Sequence, residues 1–336
     1  MKLTGKTITG TVTALTLAAI AMPAAAQQKV VFGTNWLAQA EHGGFYQSVA
    51  DGTYAACGLE VEIVPGGPQV NNRALLMADR MQFHMGGDML QAFTAVSENI
   101  PIVSVMATFQ KHPQVIIAHP GEADTWEELK DLTLLIGDQG YASYYQWMIA
   151  EYGFTAEQRQ PYTFNPAPFL ADKRMGMQGF LSSEPYAIEK QAGFVPNVFL
   201  IADAGYSTYA TTVEVMKPFL ESNPEAVKCF VEGSILGWYN YLYGDNAAAH
   251  ALIKQANPEM TQDKIDFAIA KMIEQGIVDS GDSLEKGIGV MTEAKVEDFF
   301  TKMVNAGVVP DTIDWKASFT TEFVGKGLGM DLRPKN

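Results

Sequence analysis

Cysteine is nearly absent from the chain of 336 residues: Cys57 and Cys229 are the only two. Neither belongs to a CxxC pair, so dithiol redox chemistry and a thiolate zinc site have no basis. They lie far apart in sequence, each inside an apparent helix with no pairing signal, and separate thiols are the expectation even in a compartment that permits bridging. Positive charge is also scarce. Lys and Arg total 23 against 38 Asp and Glu, a net charge of −15. That balance excludes a nucleic-acid binder, because a phosphate backbone needs a basic surface. Phosphate-loop, dinucleotide and nucleophile-elbow motifs are missing, so no catalytic residue and no cofactor is assigned. His84, His112, His119 and His250 show no ligand spacing, and "DSGDSLEKG" lacks the alternating oxygens of a calcium loop, so no metal is assigned.

Long apolar runs are missing too, except near the start. Lys2 and Lys6 precede "TVTALTLAAIAM", and "AAA" at 24–26 gives a small-residue cleavage pattern before Gln27. This reads as a cleavable signal peptide over 1–26, too short to span a bilayer, and predicts a periplasmic protein. Loss of Lys2 and Lys6 would take the net charge from −15 to −17.

The remaining 310 or so residues suggest two lobes. "KVVF" reads as a strand, Phe45, Val49, Thr53 and Ala56 recur at helical spacing, and "LEVEIV" alternates as a half-solvated strand, which completes a βαβ unit. Strand and helix patterns continue to alternate through "MQFHMG", "DMLQAFTAVSEN" with Asp88 as cap, "PIVSVMATF", "QVIIAHP", "LTLLIG", "SYYQWMIAEYG", "GFLSS", "PNVFLIAD" and "TTVEVM". From Asn223–Pro224 the pattern is almost wholly helical to about residue 308. The fold class is therefore α/β, two mixed sheets flanked by helices, with a helical C-terminal region.

In open α/β sheets, ligands gather at the carboxyl ends of strands. Four such places carry unusual side chains. In "TNWLAQAEHGGF", Asn35 and Trp36 leave a strand while His42 and Gly43 precede a helix, where glycine would let a ligand approach backbone N–H groups. In "FHMGGDMLQAF", Gly86, Gly87 and Asp88 combine backbone donors with a carboxylate, although an N-cap alone explains Asp88. In "GDQGYASYYQWM", Gln139, Tyr141 and Tyr144 offer aromatic platforms. In "GFLSSEPYAIEK", Glu184 and Tyr186 follow a strand. By contrast, "WYNYLYGDNAAAH" at 238–250 reads as helix packing.

The run "NWLAQAEHGGFYQSVADGTYAACGLEVEI", then "FHMGG", then a strand-end Glu resembles the substrate-binding proteins of ABC importers, in the branch of thiamine-pyrimidine-precursor, sulfonate and nitrate binders. The resemblance covers about residues 29–330. It implies a type II, two-lobe Venus-flytrap fold, with lobe one over 29–118 plus 210–336 and lobe two over 119–209. The hinge crossings would be "AHPGEAD" and "AGYSTYATTV". It implies a monomer that takes a small-molecule ligand and delivers it to a membrane permease. Within the pyrimidine branch, Trp36 and one of Tyr141 or Tyr144 would flank an aminopyrimidine whose amine Glu184 accepts, although "LSSEP" departs from the Asn-Tyr-Glu run usual there. A sulfonate or other small anion is the alternative ligand. An enzyme of pyrimidine synthesis on the same fold is the alternative of another class, without the cysteine-rich segment of the fungal enzymes.

Overall fold

A computed structural model describes residues 1–2, 5, 26–68 and 70–335. The signal peptide expected over 1–26 lies outside these apart from Met1, Lys2, Gly5 and Ala26. The described residues contain two five-stranded sheets. The strands are β1 (Gln28–Gly33), β2 (Leu59–Val64), β3 (Phe83–Met85), β4 (Ile102–Phe109), β5 (Gln114–Ala118), β6 (Thr133–Ile136), β7 (Arg159–Pro161), β8 (Met175–Phe180), β9 (Asn197–Leu200) and β10 (Ala210–Met216). The helices before the last strand are α1 (Gly43–Ala50), α2 (Thr53–Ala56), α3 (Asn72–Met77), α4 (Met89–Ser97), α5 (Asp138–Tyr141), α6 (Tyr144–Tyr152), α7 (Ala167–Ala171) and α8 (Glu184–Ala192). After it come α9 (Lys217–Ser222), α10 (Pro224–Tyr243), α11 (Ala247–Ala256), α12 (Gln262–Glu274), α13 (Ser283–Lys286) and α14 (Glu293–Asn305).

The sheets repeat one topology. The first runs β2-β1-β3-β10-β4 and the second β7-β6-β8-β5-β9. In each, three parallel strands meet one antiparallel strand contributed by the segment nearest a crossing, β10 in the first and β5 in the second. This exchange corrects the expected boundary at 118/119. Because β5 pairs with β8 and β9, the first crossing lies between Phe109 and Gln114, and "AHPGEAD" follows a strand of the second lobe. The second crossing lies between Leu200 and Ala210.

The first lobe is built on aromatics. Phe83 stacks on Phe230 at 4.0 Å, and Phe32, Phe45 and Trp238 close around them. Trp238, Tyr239 and Tyr241 are fully buried, as the packing reading of that stretch requires. The helix read as continuous from Phe45 to Ala56 is interrupted at Asp51–Gly52, where Gly52 takes φ 77° and restarts the chain as α2. That break lays α2 against α10, with Tyr54 stacked on Phe230 at 5.1 Å. The expectation of separate thiols is thereby overturned: Cys57 ends α2 and Cys229 sits in α10, their Cα atoms are 5.7 Å apart, and they form a disulfide. Tertiary packing of two helices, invisible to sequence spacing, supplies the proximity. A second core joins α4, α6, α14 and the second crossing, where Tyr206 meets Phe299 edge-on at 5.1 Å.

Candidate functional site

The strand ends of the two lobes face each other and carry the candidate site. On the first lobe, the turn after β1 leaves Trp36 half-buried. On the second, Phe164 follows β7 with φ 63°, a left-handed conformation unusual for a large side chain, and keeps 44% of its surface exposed. The two rings meet across the lobes with centroids 4.6 Å apart and planes tilted by 52°. Tyr162 continues the aromatic series, 5.3 Å from Phe164.

A carboxylate lies beside Tyr162. Glu184 opens α8, tucks over Gly179 of β8, and accepts a 2.6 Å hydrogen bond from the Phe180 N–H. Burial holds its carboxyl up at about 7 despite that bond, and the charge of Glu41 adds to the rise. Glu41 comes from the other lobe, is 3% exposed, and accepts a hydrogen bond from the Ser182 hydroxyl. Burial raises its carboxyl too. A cavity of about 90 Å³ opens next to them, lined by Gln39, Glu41, Ser182, Ser183, Tyr186 and Lys264.

Deeper, at the crossings, Asp88 caps α4 through bonds from Leu90 and Gln91 and also accepts a 3.0 Å bond from the Tyr206 hydroxyl. His112 accepts from the Gln114 N–H on Nδ1, and its Nε2 stands 3.7 Å from Asp88. Burial lowers His112 to about 4 and raises Asp88, so the pair rests as neutral imidazole beside a reluctant carboxylate. One buried group therefore ties α4 of the first lobe to both crossings.

The expected residues divide accordingly. Trp36 meets Phe164 of the other lobe, Glu184 bonds to the Phe180 N–H at the end of β8, and Asn35 is exposed next to Trp36. Tyr186 lies along α8 and donates to Asp263 of α12, so it bridges lobes beside the cavity. Tyr144 is buried, donates to Gln178 and packs on Tyr206, while Tyr141 lies on Arg159 and Tyr145; Gln139 is exposed on α5. Neither tyrosine faces Trp36 as expected: Phe164 does. Gly43 is also corrected. A Cβ there would stand 1.9 Å from the Tyr241 ring, and at Gly44 2.2 Å from Trp238, so these glycines let α1 and α10 pack closely and do not open a backbone to ligand. His42 is buried with Nδ1 unpartnered and is held down to about 3 by burial. Gly86 fits against Thr212 and Glu214, and Gly87 donates to Gln91.

Phe164, Glu41, Ser182 and His112 escaped sequence reasoning. Phe164 stands in "YTFNPAP", whose turn residues signal a loop but not a ring presented outward. Glu41 was in plain view beside His42, but a 3₁₀ turn at Ala40–His42 directs it to the other lobe.

Two arginines are paired with carboxylates, and Lys264 of the cavity lining is bonded to a carbonyl. Arg73 binds both Glu214 oxygens at 3.1 Å, and His84 shares that buried carboxylate. Arg159 pairs with Asp138, and Lys264 donates to the Glu259 carbonyl at 2.8 Å.

A family model described as NMT1/THI5 like matches residues 39–249. The riboflavin-binding protein RibY of Chloroflexus aurantiacus is 24% identical over 89% of this chain and 87% of that protein. Among solved structures, the periplasmic sulfonate-binding protein SsuA of Methylobacillus flagellatus superposes with TM-score 0.59 at 13% identity, over 88% of this chain and 92% of that one. The desulfurization enzyme DSZB superposes with TM-score 0.57 at 11% identity, over 88% and 97%. At these identities the structural likeness establishes the periplasmic binding protein fold.

Proposed function

The chain belongs to the NMT1/THI5-like family, and from that premise we propose that it is the periplasmic solute receptor of an ABC importer, gripping a planar nitrogen heteroaromatic between its lobes. An aminopyrimidine is the first candidate and a flavin ring the second. The observation that carries this reading is the cross-lobe pair Trp36–Phe164, two rings 4.6 Å apart, with Tyr162 joining Phe164 to the side of the second lobe where the buried Glu184 lies. Phe164 is held in a left-handed backbone with 44% of its surface exposed, a costly arrangement that presents its ring to Trp36 of the other lobe.

In this mechanism the lobes part at the crossings 109–114 and 200–210, the rings separate, and a flat ligand enters between them. Closure then stacks it on both faces while a strand-end carboxylate accepts from its N–H groups. The Asp88–Tyr206–His112 cluster links both crossings and positions the two lobes during closure. Export through the 1–26 signal segment and delivery to a membrane permease belong to the same reading.

The relative RibY supports a heteroaromatic ligand by the name it carries. The sulfonate reading, favoured by the neighbour SsuA, asks for a free cation among the rings, whereas Arg73 and Arg159 are bound to carboxylates and two acids occupy the cleft. A calorimetric panel of aminopyrimidines, riboflavin, alkanesulfonates and nitrate tests the proposal. Saturable heat with a planar heteroaromatic and no product is expected, and binding confined to sulfonate or nitrate overturns it.

A further inference from the structure

Resting on the receptor reading, we propose that Glu41 is a specificity-determining residue that joins Glu184 in a paired-carboxylate selector, supplied half by each lobe, favouring ligands with a cationic or multiply donating N–H edge. Glu41 reaches across the lobe boundary from the 3₁₀ turn Ala40–His42 to the Ser182 hydroxyl, two residues before Glu184. Closure therefore brings two acids to one end of the cleft. Among the described residues neither acid is in an ion pair, and Lys264, which lines the cavity with Glu41, donates to a backbone carbonyl. Tyr241 of α10 faces Glu41 with its hydroxyl fully buried and unpartnered among the described residues. Tyr162 lies beside Glu184. Tyr186 is bonded to Asp263, Lys264 to the Glu259 carbonyl, and Asp266 to Gln262. His42, next in the chain, is buried and neutral.

Two buried like charges disfavour each other, and one of three things relieves them: a ligand cation, several N–H donors, or a proton. A cationic heteroaromatic satisfies the pair as it stands. A neutral one binds with uptake of a proton, so its affinity rises as pH falls.

The test compares 4-amino-2-methylpyrimidine with its permanently charged N-methylpyrimidinium at pH 8 and pH 6, in buffers of different ionisation enthalpy. The wild-type protein should prefer the pyrimidinium tenfold or more at pH 8 and take up nearly one proton with the neutral ring. Glu41→Gln should cut the preference to about threefold or less and lower the proton uptake, and Glu41→Asp should restore part of both. Equal affinity for the two probes in wild type, or a preference of undiminished size in Glu41→Gln, overturns the proposal. Carbon-detected titration of the glutamate carboxyls in ligand-free protein separates this inference from the ligand assignment. A Glu184 midpoint that falls in Glu41→Gln yet stays above the ordinary carboxyl range supports the pair even if no pyrimidine binds, and a Glu184 midpoint unmoved by Glu41→Gln refutes it.

Discussion

Phe164→Gly separates the ring's contribution to binding from its effect on the fold. The residue sits at φ 63°, which costs a non-glycine side chain about 1 kcal/mol and glycine nothing. Glycine loses about 0.5–1 kcal/mol through the freer unfolded chain, so the two effects nearly cancel. Since the ring is 44% exposed, little core packing is lost, and the melting temperature should stay within about 3 °C of wild type. Binding should suffer far more. One face of the ligand loses an aromatic contact of about 0.5–1.5 kcal/mol. It also loses roughly 40 Å² of apolar burial, about 1 kcal/mol at 25 cal/mol/Å². Against this, the variant no longer has to break the Trp36–Phe164 contact, which returns up to about 1 kcal/mol. The net is a loss of about fivefold, rising to about thirtyfold where the ring contact is weak in the unliganded protein. Calorimetry with the best heteroaromatic, run beside thermal melts, decides it. Affinity within threefold of wild type, with the fold intact, would refute the clamp.

Three further outcomes follow from the same geometry. Reduction of Cys57–Cys229, or Cys229→Ser, releases a loop of 172 residues, worth up to about 5 kcal/mol on chain entropy alone; a melt unchanged by reductant would contradict the bridge. Glu184 has a folded value near 7 against an ordinary 4.5, so its stabilisation is complete below about 4.5 and is lost as pH rises through 7. Glu184→Gln should therefore match wild type near pH 4.5 and exceed it by up to about 3 kcal/mol at pH 8, and denaturant titrations showing parallel pH profiles would exclude this. Gly43→Ala places a methyl in the Tyr241 ring and should cost about 1–3 kcal/mol of stability, read from urea midpoints; an unchanged midpoint would mean the α1–α10 contact is looser than described.

Much of the fold is legible because its signals are local. Alternation in "LEVEIV", the Asp88 cap and the Asn223–Pro224 start each specify an element from neighbouring residues. The strand exchange was not, since β5 follows β4 after four residues and only its pairing with β8 and β9 assigns it to the second sheet. The site divides on the same line. Trp36 and Glu184 were readable as odd side chains at strand ends. Gly43 was misread because a glycine that admits a tyrosine ring and one that admits a ligand look alike in sequence. Phe164 and Glu41 acquire meaning only from the opposite lobe.

A crystal structure of the protein with its bound heteroaromatic tests the central claim most directly, through the distance between the Trp36 and Phe164 rings. Insertion of a flat ligand at carbon contact distance on both faces should widen their centroids from 4.6 Å to about 7 Å, with an N–H edge directed at Glu41 or Glu184. A ligand seated elsewhere, with the two rings still in contact, would contradict the account.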